Sequence, residues 1–266
     1  MTTDSLLRTA DAYLDAGDPE DAITEYLRFI YHHRNDSIRV TRTYAKVGAA
    51  FRQQGRLVEA EWALRRSLDT APRGDTALGG RRVQIAVLHM AAESYESAKL
   101  ELLRVAWFDP DLGWRRTALG YLGVCHLYAR QWSEARRAFA LRTPGDSTSA
   151  TPLLAYLAPA NRPGHKSAAV ARWLSTFVPG AGQAYARDAV DGLNAFAIGA
   201  ASSFLVVDAM SARRLADVVL VYAPTFLRYY RGNRRNAIRE VEAYNATVDK
   251  RYAEQALRLY RLTLTP

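Results

Sequence analysis

Apolar positions in the first half of the chain recur every three or four residues, the period of helices with one buried face. Four segments share one grammar: ADAYLDAGDPEDAITEYLRFI, GAAFRQQGRLVEAEWALRRSL, AVLHMAAESYESAKLELLRVA and GVCHLYARQWSEARRAFALR. Aligned on Ala22, Ala60, Ala98 and Ala135, they are spaced by 38, 38 and 37 residues. Twelve residues earlier stands another small residue (Ala10, Gly48, Ala86, Gly123), and four residues later a large one (Tyr26, Leu64, Leu102, Phe139). Each unit predicts a helix, a tight turn and a second helix. The small residues let the pair touch, and the large ones fill the gap to the next pair. Asp18 is a fitting N-cap and Pro19 a fitting first helical residue. Gly17 and Gly55 suit the turn, whose later copies hold Glu93 and Arg130.

The pattern then changes. TPGDSTSATP (143–152) and NRPGHKS (161–167) are rich in turn formers, which places a linker over 148–167, with Leu153–Leu157 as one short helical piece. Two apolar runs follow, Leu193–Met210 and Leu215–Leu227, separated by SARR. Each is near the lower limit for a membrane span and is interrupted by polar or breaking residues: Asn194 and Asp208, then Asp217 and Pro224. From residue 236 to 266, Ile238, Val241, Tyr244, Val248, Tyr252 and Leu259 mark an amphipathic helix. The expected architecture is all-α: repeats over 1–147, a glycine-rich helical hairpin over 168–235, and a C-terminal helix.

The aligned small and large positions resemble the tetratricopeptide-repeat family over roughly residues 3–147. That resemblance implies a right-handed helical solenoid whose first helices line a groove for a protein or peptide. The family's usual repeat is about 34 residues, so the helices or connections here must be longer. The third region resembles the glycine-rich hairpin domain that follows such repeats in many uncharacterised bacterial proteins. The matching residues are Ser175, Pro179, Gly180, Gly182, Gln183, Tyr185, Asp191 and Gly192, then Gly232, Asn233, Tyr244 and Asn245. Arg187 stands where that pattern has glycine. This likeness implies an architecture rather than a chemistry.

Composition adds limits. With 49% apolar, 11% aromatic and 24% charged residues, the chain is not of disordered type. A lone Cys125 excludes an internal disulfide and any cysteine-rich metal centre. The GAG of PGAGQAY lacks the preceding strand a phosphate loop needs. His32 and His33 diverge on a helix, as do Cys125 and His126. His89 and Glu93 share a helix face without a third ligand, and the carboxylate pairs lack acid–base partners. We therefore expect no catalytic site, no metal and no cofactor. The arginine pairs in the repeats are offset by acids, 21 basic against 19 acidic side chains over 1–160, which argues against nucleic acid. Residues 161–266 hold 15 against 8.

The expected function is a non-enzymatic protein–protein adaptor in a bacterial envelope. Arg8, Arg42, Lys46 and Arg82 on the first helices are its candidate groove residues, suited to an acidic or carboxyl-terminated partner. Membrane attachment is expected through 168–235. The arginine-rich flanks of the hairpin place the repeats in the cytoplasm by the positive-inside tendency, with Tyr222, Tyr229 and Tyr230 at the interface. The first residues show no basic region followed by an apolar run. A periplasmic repeat domain after leader removal, a soluble chain with the hairpin as end cap, and an accessory subunit of a membrane complex are the alternatives.

Overall fold

The computed structural model describes residues 3–142 and 147–264, and every regular element among them is helical. The first eight helices form four pairs: α1 (Thr3–Asp15) with α2 (Pro19–His32), α3 (Ser37–Gln53) with α4 (Leu57–Asp69), α5 (Leu78–Ala91) with α6 (Tyr95–Phe108), and α7 (Leu112–Tyr128) with α8 (Trp132–Arg142). Successive pairs stack, α2 on α3, α4 on α5 and α6 on α7. This is the helix-pair repeat expected from the alignment.

Its register follows from side-chain size. Ala22, Ala60, Ala98 and Ala135 are all fully buried, as are or nearly are Tyr26, Leu64, Leu102 and Phe139. A methyl group added to Gly123 would lie 2.5 Å from Phe139 Cε1, and one on Gly48 would lie 2.9 Å from Leu64 Cγ. Gly48 and Gly123 of the first helices are therefore the seats of Leu64 and Phe139 of the second. Asp18, Asp36 and Asp111 cap α2, α3 and α7 by accepting backbone N–H bonds.

The turns inside the four pairs share one backbone conformation. Gly17, Gly55, Glu93 and Arg130 have φ of +82°, +73°, +57° and +59°. Their spacing is again 38, 38 and 37 residues. The left-handed turn is thus a property of the repeat, kept even where a side chain makes it costly.

The chain divides into two compact units, residues 1–161 with 256–266, and residues 162–255. Much of the segment expected as linker is regular: α9 spans Ser147–Tyr156 and a short 3-10 turn spans Pro159–Asn161. Leu153 and Leu157 are buried, which explains why this stretch folds despite its turn-rich flanks. The second unit holds α10 (Ala168–Phe177), α11 (Ala181–Ala186), α12 (Ala189–Ser211), the single turn α13 (Leu215–Asp217), a π turn over Val218–Tyr222, and most of α14 (Ala223–Leu262). The C-terminal helix thus starts well before residue 236 and runs for 40 residues. Pro224 is its second residue, directly after the π turn over Val218–Tyr222. The side chain of Tyr222 lies outside the described residues.

Candidate partner cleft and hairpin base

The first-helix cations do not converge on one cradle. Lys46 Nζ on α3 binds both oxygens of Asp11 on α1 at 2.6 and 2.7 Å, and Tyr26 donates its hydroxyl to the same carboxylate at 2.5 Å. Burial pushes the Asp11 carboxyl up, but the Lys46 and Tyr26 hydrogen bonds outweigh it and hold Asp11 below its ordinary value. Arg82 pairs with Glu101 Oε2 at 3.0 Å, in a cluster where Glu101 also meets Arg65 and Arg104 at 3.4 Å. Arg8 and Arg42 are exposed, and the Arg42 charge acts on Asp75. Lys46 and Arg82 therefore tie helices together, because acids on neighbouring helices reach them first.

The first helices meet a different chemistry lower in the stack. A cleft of about 470 Å³ is lined by Val87, Met90 and Ala91 of α5, Tyr95 of α6, Tyr121 and Tyr128 of α7, and Glu93. Tyr95 and Tyr128 stack with ring centroids 5.3 Å apart and planes 9° apart. Burial, and after it the Glu93 charge, raise the Tyr95 phenol above its ordinary value, so the cleft is an aromatic surface with protonated hydroxyl edges and one carboxylate at its border. Sequence reasoning missed it. Tyr121 and Tyr128 sit seven residues apart and so share a helix face, which is the one signal available.

The remaining candidates for chemistry have structural partners. His89 Nε2 lies 3.4 Å from Glu61, and His126 Nδ1 lies 2.7 Å from Gln131 Oε1. Cys125 is fully buried, and burial pushes its thiol to about 12. No group of three His, Cys, Asp or Glu with metal-holding geometry occurs among the described residues.

In the second unit the motif residues build the base of the hairpin. Gly180, at φ +91°, brings its backbone against Gly192, and any side chain there would strike the Gly192 carbonyl. Pro179 packs on Gly199. Gly182 donates its N–H to Ser175 Oγ at 3.1 Å, and Gln183 Nε2 donates to Asn233 Oδ1 at 2.6 Å, both in buried surroundings. Asn245 accepts from Lys166 N and donates to Lys166 O, each at 2.9 Å, while Lys166 Nζ reaches the Tyr185 carbonyl at 2.6 Å. Arg187 takes a left-handed φ of +79°, which is the physical reason glycine suits that position. Asp191 is exposed and borders a second cleft of about 540 Å³ with Gln183, Asn194, Arg228, Asn233 and Asn236.

Above this base α12 is long and apolar, and it is the one described helix that meets the length and composition of a membrane span. The second apolar run does not: it is broken into α13, the π turn and the start of α14. Val190, Leu193, Phe196, Phe204 and Val207 on α12 are half-exposed or more. Arg214 pairs with Asp208 at 2.6 Å and approaches Asp217 at 3.9 Å, so both acids that interrupt the runs meet one cation at the hairpin turn.

Stacked helix pairs define the repeat unit as a helical-repeat fold. No family model matches the sequence, and no curated protein matches it. Among solved structures, the chain is similar to a tetratricopeptide repeat protein from Parabacteroides merdae ATCC 43184, with a TM-score of 0.49, 13% identity, and 99% of both chains covered.

Proposed function

We propose that the protein is a non-enzymatic adaptor that holds a peptide segment of a partner in the tyrosine-lined cleft of its repeat unit. The observation that carries this is the cleft between α5 and α7, where Met90, Tyr95, Tyr121 and Tyr128 present apolar area and hydroxyl edges. Tyrosine supplies large contact area at low entropic cost, so such a cleft suits an extended segment carrying an apolar or aromatic anchor. Selection of displayed peptides on the full chain tests this. Enriched peptides should bind at least ten-fold more weakly to the Tyr121→Ser/Tyr128→Ser variant; equal binding to both refutes the cleft as the site.

The same reading places the adaptor at a bacterial membrane through α12. Its exposed apolar side chains support this, since a soluble end cap would bury them. Tyr229 donates to the Ala195 carbonyl at 3.1 Å, which fixes the base of the hairpin. From Ala195 to the turn at Ala212 the helix rises about 26 Å, close to a thin hydrocarbon core. Positive-inside charge then assigns the flanking segments, and with them the repeats, to the cytoplasm. Fractionation decides it: the full chain should need detergent for extraction, and recovery in the high-speed supernatant without detergent would refute attachment.

A further inference from the structure

The hairpin base gathers five arginines, none of which forms an ion pair among the described residues. Arg228, Arg231, Arg234 and Arg235 fall within two turns of α14, and Arg172 of α10 faces them across a cleft of about 220 Å³ lined by Arg172, Arg231, Arg234, Arg235 and Ile238. A neighbouring cleft joins Arg228, Arg231 and Arg235 to Pro224 and Leu227, so the charge borders the apolar end of the helix. No ion pair links Arg172, Arg228, Arg231, Arg234 or Arg235 to an acid among the described residues, whereas Lys46, Arg65, Arg82 and Arg104 of the repeats each meet one. Two donors here lack partners although buried: Arg234 Nε, and the amide Nδ2 of Asn233, a residue only 3% exposed. Tyr230 donates to the Thr176 carbonyl at 2.7 Å, which pins α14 to α10 and holds Arg172 opposite the other guanidiniums.

Guanidinium forks with unused donors match the oxygens of a phosphate group. We propose that this five-arginine base is a binding site for the phosphate of an anionic phospholipid. The source is a lipid rather than a free phosphate because the cluster begins at Arg228, directly after the exposed Leu227, and Arg228 shares a cleft with the exposed Ile198 of α12. A headgroup could fill the arginine cleft while its chains cover that apolar surface. The inference rests on the membrane reading above and adds the lipid class to it.

The test is flotation of the full chain with vesicles of neutral phosphatidylcholine, with and without one third phosphatidylglycerol, at fixed ionic strength. Anionic lipid should raise binding at least ten-fold, given about five-fold per arginine near an anionic surface. Arg231→Gln/Arg235→Gln should remove most of that gain, while Arg213→Gln at the hairpin turn should keep it. Both arginines are exposed, so the double variant should fold, which its unchanged circular dichroism would verify. Flotation with neutral vesicles and no anionic gain overturns the site and leaves the membrane reading standing. An equal anionic gain in every variant also overturns it, since bulk charge then suffices. Loss of the gain on adding inorganic phosphate, with sulfate-matched controls unaffected, overturns the lipid source. Failure to float with either vesicle refutes the membrane reading and the site together. Flotation with anionic vesicles alone, lost in the double variant, supports the site and refutes insertion.

Discussion

Replacing the turn glycines by alanine, and Glu93 by glycine, should shift stability in opposite directions. Gly17 and Gly55 have φ of +82° and +73°, and an added methyl at either position meets nothing within 4 Å. The perturbation is therefore confined to the backbone. Holding an L-residue left-handed costs about 1–2 kcal/mol. Alanine also stiffens the unfolded chain, which returns about 0.4–1 kcal/mol. The net expectation is a loss of about 1 kcal/mol for Gly17→Ala or Gly55→Ala, roughly 2–4 °C in melting temperature for a unit of this size. Glu93 already bears the strain at φ +57°, so Glu93→Gly should gain about 0.5–1 kcal/mol by the same arithmetic reversed. Arg130 shares the conformation but makes further interactions, which makes Glu93 the cleaner position. Urea unfolding of the full chain in a mild neutral detergent measures all three. Unchanged midpoints for the alanine variants together with a lower midpoint for Glu93→Gly would refute a shared left-handed turn.

Gly123→Ala should cost about 1–3 kcal/mol, because its methyl would stand 2.5 Å from Phe139 Cε1; a midpoint equal to that of the native chain contradicts the pairing register. Cys125 should resist iodoacetamide at pH 8 in the folded chain and react fully in urea, since burial keeps the thiol protonated; rapid native alkylation contradicts its placement. Asp11 is held below its ordinary value of 3.8 when folded, so its pairing with Lys46 stabilises above about pH 4 and is lost as pH falls below that. Both side chains are 43% exposed, so the effect should stay under about 1 kcal/mol, and Lys46→Met should flatten that part of the acid unfolding profile.

Most of the repeat architecture was legible because helix pairing is local. Gly48 and Leu64, or Gly123 and Phe139, lie 16 residues apart, and their sizes alone state the register. The turn positions were legible as positions, yet Glu93 and Arg130 concealed the backbone conformation that Gly17 and Gly55 announce. The tyrosine cleft was hidden because α5 and α7 belong to different repeats, and no periodicity within one helix reports what faces it from the next. The partners of Lys46 and Arg82 were hidden for a similar reason. Lys46 looks free in sequence, and only folding brings Asp11, 35 residues away, within hydrogen-bond reach. The glycine-rich pattern includes Gln183 and Asn233 but does not say that they meet across 50 positions. The change from an apolar run to an amphipathic pattern near residue 236 concealed one continuous helix, since a helix can change its surroundings without breaking.

That continuity alters where the chain can be cut. Hydropathy suggests ending it at Asn161, but residues 256–266 belong with the repeats. The Tyr260 ring lies 4.8 Å from Phe139 with a 37° tilt, its hydroxyl reaches Gly120, and Arg142 sits over its face at 5.3 Å while donating to Thr263 at 3.3 Å. Burial raises the Tyr260 phenol, as expected for a ring covering α7 and α8. Repeat stacks need a final element that covers the last hydrophobic face, and Tyr260 with its neighbours covers this one. A chain ending at Asn161 should therefore remain helical but lose protection first in α7 and α8, with hydrogen exchange at those amides faster while α1–α4 stay slow. Tyr260→Ala in the full chain should reproduce that local loosening at a cost of about 2–4 kcal/mol, near the range for truncating a largely buried aromatic. If the shortened chain and Tyr260→Ala both exchange like the native protein in α7 and α8, the C-terminal turns are not the cap, and the pairing of Phe139 with Gly123 suffices to close the stack.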